Sequence, residues 1–140
     1  MRFFLYFLVL LAVGCASNTY IPETHPLDRS KLPAPNLTVS IPNLSSCTDS
    51  SDKAISIDSN SPVTVLVHGC NGSAGRFRSL AQLYAFHGQQ AVCYSYDDRE
   101  SLVDSAENLA KAVKAVSDVT NNQKVSIVGH SMGGLVARKA

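Results

Sequence analysis

The chain has 140 residues, 45% of them hydrophobic and 16% charged, with a formal net charge of +1. That is room for one domain with an ordinary core, and too apolar for a disordered chain. No run of Lys or Arg builds the basic face that nucleic acid requires, and neither a repeat nor a C-x-x-C or H-x-x-H metal spacing occurs. No metal and no cofactor is expected.

The first residues read as a targeting segment. Arg2 supplies a positive start, and Phe3 to Val13 form an apolar run of eleven residues. A bilayer core of about 30 Å takes roughly 20 helical residues, so the run is too short to span it. It ends "LAVGCAS", which resembles the lipobox of bacterial lipoproteins, where the signal is cut before a cysteine that carries lipid. The resemblance implies a signal peptide over 1–14, lipidation at Cys15, and anchoring to the cell envelope, at the outer membrane in a Gram-negative host. An ordinary secretory signal, in which Cys15 plays no part, is the alternative. Residues 15–36 lack apolar periodicity and hold four of the six prolines, which predicts an extended tether.

The folded domain is expected over 37–140. "LTVSI" (37–41) and "AISID" (54–58) read as short strands separated by a Ser/Asp-rich turn containing Cys47. "PVTVLVHG" (62–69) is apolar at Val63, Val65, Leu66 and Val67, the pattern of a strand covered on both faces in a parallel sheet. A helix is predicted from about Arg76 to Phe86, with Phe77, Leu80, Leu83 and Tyr84 on its inner face and Gly88 as its stop. "QAVCYSY" (90–96) is the next strand. Asp97 or Asp98 can cap the following helix, whose residues Leu102, Ala106, Leu109, Val113 and Val116 make one apolar stripe. Within it, Glu107 can pair with Lys111. "KVSIV" (124–128) is predicted as a third buried strand. The alternation of strands and helices gives an α/β fold with a mostly parallel sheet and helices on both faces.

"GHSMG" (129–133) fits G-x-S-x-G between a strand and "GLVARKA". In that context the serine sits on a strained turn above the sheet, at a helix N-terminus that favours negative charge. Gly129 and Gly133 are needed because strand and helix come too close for a Cβ. Acyl transfer also needs two backbone N–H groups aimed at the developing oxyanion. Met132 follows the serine, and Cys70 follows His68-Gly69 at the end of an earlier strand.

"VTVLVHG" together with "VSIVGHSMGGLVAR" resembles the α/β-hydrolase superfamily, in particular bacterial triacylglycerol lipases and esterases and the related PGAP-like lipid deacylases. The likeness covers about 63–140. It implies an α/β-hydrolase fold, a serine hydrolase acting on carboxylic, lipid-type esters through an acyl-enzyme, Ser131 as nucleophile, and Cys70 and Met132 as oxyanion donors. His68 and Gly69 would support the oxyanion loop. An acyltransferase on the same scaffold, or a non-catalytic envelope lipoprotein, are the other readings.

A triad in this fold runs Ser, then Asp or Glu, then His, and neither an acid nor a histidine follows Ser131. Of the four histidines, His25 lies in the tether, His87 closes a helix, His68 has a local structural role, and His130 points away from the neighbouring hydroxyl. The 140 residues are therefore expected to be a fragment, inactive alone, with the C-terminal strands missing and "KVSIV" left as an apolar edge prone to association. Cys47, Cys70 and Cys93 leave the disulfide pairing open; Cys93 is most simply a small apolar residue of a strand, and Cys70 acts through its backbone rather than its thiol.

Overall fold

A computed structural model describes residues 33–140. The expected signal segment 1–14, Cys15 and all of the tether before residue 33 lie outside the described residues.

β1 (Leu37–Ser40) and β3 (Ala54–Ile57) form a two-stranded antiparallel ribbon in the register Leu37↔Ile57 to Ser40↔Ala54. Alternation decides its faces. Ile55 and Ile57 are buried with Leu37 and Val39 against them, while Thr38 and Ser56 meet on the outside at 3.2 Å. This ribbon is separate from the main sheet, which has four strands.

In that sheet β4 (Val63–Val67), β5 (Gln90–Tyr94) and β6 (Val125–Gly129) run parallel, with β4 between the other two. β2 (Leu44–Ser45) adds an antiparallel edge through Leu44↔Tyr94 and Ser45↔Cys93. Sequence patterning assigned those residues to a turn, because two residues show no alternation. They are placed by Asn43, whose left-handed backbone (φ 65°) turns the chain, and whose carbonyl accepts from the Ser95 N–H.

Helices cover both faces. After a 3-10 turn at Ala74–Phe77 comes α1 (Arg78–Phe86), which joins Phe77, Leu80, Ala81 and Tyr84 to Leu66, Cys93 and Ala91 on one face. α2 (Leu102–Val119) and α3 (Met132–Lys139) take the other, where Leu109, Val116 and Val136 close over Val65 and Val67, all fully buried. The apolar stripe of α2 faces inward as its spacing requires, with Leu102 and Val113 at its margins.

Five expectations need correction. Leu83 is 53% exposed, because the inner stripe of α1 is narrow and runs through Phe77, Leu80, Ala81 and Tyr84. Neither Asp97 nor Asp98 caps α2: Ser101 does, its hydroxyl accepting from the Asp104 N–H. The Asp97 carboxylate instead accepts from the Arg99 N–H, and that of Asp98 from the Asn71 N–H. The pair on α2 is Lys114–Asp118 at 2.8 Å rather than Glu107–Lys111. Cys93 is not a free apolar residue but is disulfide-bonded to Cys47, with Cα atoms 5.0 Å apart. Finally, β6 is half-buried rather than buried. It is the sheet's edge among the described residues, and Val128 is 38% exposed.

Candidate active site

The register of β4 and β6 decides where the site lies. Val67 pairs with Gly129, so the two strands end level with one another and their loops leave side by side. The carboxyl end of a parallel sheet is where such folds bind ligands. The His130 N–H donates to the Val67 carbonyl (2.9 Å), which extends the pairing by one residue.

Ser131 follows at once, with φ 54° and ψ −124°, and α3 starts at the next residue. That backbone is rare for a residue with a Cβ and costs on the order of 1–3 kcal/mol. It allows the chain to turn from strand to helix without a loop, and it leaves Ser131 exposed. The turn also forces backbone onto backbone. A Cβ on Gly129 would lie 2.5 Å from the Gly133 carbonyl oxygen, and one on Gly133 would lie 2.3 Å from that of Val67. Real Cβ contacts are never that short, so glycine is the residue these positions admit.

The loop after β4 packs against this elbow. A Cβ on Gly69 would lie 2.8 Å from the Ser131 Cβ and 2.9 Å from the His130 carbonyl oxygen. The loop is a turn closed by the Gly72 N–H donating to the Gly69 carbonyl (3.0 Å), with Asn71 at φ 52°. Cys70 and Met132 meet across the gap, Sγ to Sδ at 3.4 Å. Neither the Cys70 nor the Met132 amide donates to another group among the described residues. An exposed hydroxyl thus stands on a strained strand-to-helix turn, with the loop that carries Cys70 packed beside it.

The model of the class 2 lipase family matches residues 60–140, which is more than half of the chain and holds both the loop and the elbow. The chain belongs to the class 2 lipase family. No curated protein and no solved structure matches it.

The histidines of this chain are spread over distinct places. His68 is 4% exposed, and its Nδ1 is 2.9 Å from the Gly69 carbonyl oxygen, so it donates there as the Nδ1–H tautomer. Its ring stacks on Tyr96 with centroids 4.5 Å apart. His87 ends α1 and lies edge-on to Phe86. His130 is exposed and borders Gly69. His25 lies outside the described residues. Among the described residues, no histidine and no carboxylate hydrogen-bonds the Ser131 hydroxyl. A cavity of about 210 Å³ opens beside the loop, lined by His68, Cys70, Arg76, Phe77 and His130 among others.

Sequence reasoning missed two contacts that hold the loop after β4. Tyr96 donates its hydroxyl to the His68 carbonyl (2.8 Å), and Asp98 accepts from the Asn71 N–H. Burial raises the Tyr96 phenol above its ordinary value, and the Asp98 carboxylate adds to this, so it stays a neutral donor at physiological pH. Both residues follow the end of β5, the strand beside β4, and the carboxyl-end rule applied to that strand would have marked them.

Proposed function

We propose that this lipase-family chain is a serine hydrolase of carboxylic, lipid-type esters on an α/β-hydrolase scaffold. The observation that carries the proposal is the backbone of Ser131, bent into the left-handed region between a parallel strand and a helix. In the reaction the Ser131 Oγ attacks the ester carbonyl carbon while its proton passes to a histidine base. The carbonyl oxygen, now anionic, accepts hydrogen bonds from the Cys70 and Met132 amides. The C–O bond then breaks, the alcohol leaves with the proton, and water releases the acid from the acyl-enzyme. Gly129 and Gly133 act by permitting the turn, and His68 and Gly69 by shaping the oxyanion loop.

A neutral serine hydroxyl is a poor nucleophile at pH 7. Among the described residues no base hydrogen-bonds the Ser131 hydroxyl, so on this proposal those residues do not turn over ester by themselves. We place the protein in the cell envelope, lipidated at Cys15 and held off the membrane by the tether. The Cys47–Cys93 disulfide supports export, since such bonds persist in oxidising compartments.

The test is hydrolysis of p-nitrophenyl butyrate and longer esters by the protein produced in its native host. Ser131→Ala is expected to lower kcat by a factor on the order of 10⁴ to 10⁶, the loss seen when a triad nucleophile is removed. Full activity in that variant would overturn the assignment.

A further inference from the structure

We infer that Tyr96 and Asp98, which follow the carboxyl end of β5, are positioning residues that set the direction of the Cys70 amide. The inference rests on the serine hydrolase proposal, because it is that chemistry which needs the amide aimed. The Gly69–Cys70 peptide is planar and trans, so the Cys70 N–H points opposite to the Gly69 carbonyl. That carbonyl is fixed by two donors, the Gly72 N–H at 3.0 Å and His68 Nδ1 at 2.9 Å. His68 is in turn held by Tyr96, through the ring stack and through the Tyr96 hydroxyl on the His68 carbonyl at 2.8 Å.

The peptide on the other side of Cys70 is held as well. Cys70 and Asn71 are the central residues of the turn, and the peptide between them can lie in either of two opposed orientations. One gives a type I turn, and the other a type II turn with positive φ at its third residue. Asn71 has φ 52°, and its N–H donates to the Asp98 carboxylate. An acceptor at that place selects the second orientation. Thus both peptides flanking Cys70 are fixed from β5, and neither Tyr96 nor Asp98 needs to touch the reacting atoms.

A carboxylate near an oxyanion hole also carries a cost, since like charges repel. Asn at 98 keeps an acceptor and removes the charge, whereas Ala removes both. If Asp98 mattered only as a charge or as filling, the two variants would behave alike.

The experiment uses the protein produced in its native host, in detergent micelles. Single-residue amide exchange is followed by fragmentation mass spectrometry, and binding of hexanoate, the carboxylate product of a hexanoyl ester, by calorimetry. Asp98→Ala is expected to speed exchange at Asn71 and to weaken hexanoate about tenfold, the loss for one charge-assisted hydrogen bond. Asp98→Asn should stay within about twofold of the wild type on both, or bind hexanoate more tightly. Tyr96→Phe, which keeps the stack, should weaken hexanoate about threefold and leave Asn71 exchange unchanged. Equal effects of Asp98→Ala and Asp98→Asn would overturn the inference, as would hexanoate binding that no variant alters or that the wild type lacks. Failure of the serine hydrolase proposal is read separately, in the Ser131→Ala ester assay, which does not depend on these variants.

Discussion

Ser131 sits in a conformation that glycine adopts freely and other residues do not. Ser131→Gly should therefore stabilise the fold by roughly 1 kcal/mol while removing the hydroxyl, because the strain at this position serves the chemistry and not the packing. The opposite holds two residues later. Gly133→Ala puts a methyl 2.3 Å from the Val67 carbonyl oxygen, which is backbone in a central strand and cannot yield. We expect a loss of several kcal/mol there, in the range reserved for a special backbone position. Thermal unfolding of the two variants checks both signs. At this scale the sequence was informative wherever chemistry imposes spacing: G-x-S-x-G marked the turn, and His-Gly-Cys marked the loop facing it. It was silent on Tyr96 and gave Asp98 to a helix cap, because their contacts with His68 and Asn71 join residues 28 and 27 positions apart in different loops.

The elements divide in the same way. β4 was legible because a strand covered on both faces must be apolar throughout, and α2 because its stripe repeats at the helical period. β2 was not, since two residues carry no period and are set by their partner strand. The cap of α2 was misplaced for a related reason. Asp97, Asp98 and Ser101 are all capping residues by type, and only tertiary contacts show that both aspartates are engaged elsewhere. The Cys47–Cys93 bond likewise needed the fold to bring β5 beside the segment after β2. It closes a loop of 46 residues, which in the chain-entropy account is worth about 4 kcal/mol. The Cys47→Ser/Cys93→Ser double variant should lose stability of that order in denaturant titration. An unchanged midpoint would show that the bond does not constrain the chain.

At the scale of the whole molecule, the three parallel strands place loop and elbow at one end of the sheet, while the disulfide ties its antiparallel edge. This end is where a membrane-derived ester would be met, and the proposed anchor would keep the domain near such a surface. Cys15→Ser should abolish lipidation, and the protein should then move from the detergent phase to the aqueous phase in a partition assay. Unchanged partitioning would remove Cys15 from the account. The proposed function rests on Ser131 as the nucleophile. The most direct measurement is labelling by a fluorophosphonate, which reacts covalently with an activated serine, followed by mapping of the adduct by mass spectrometry. The protein from its native host should carry one adduct on Ser131, and its Ser131→Ala form should carry none at the same concentration and time. An adduct on another residue, or equal labelling of the Ser131→Ala form, would contradict that role.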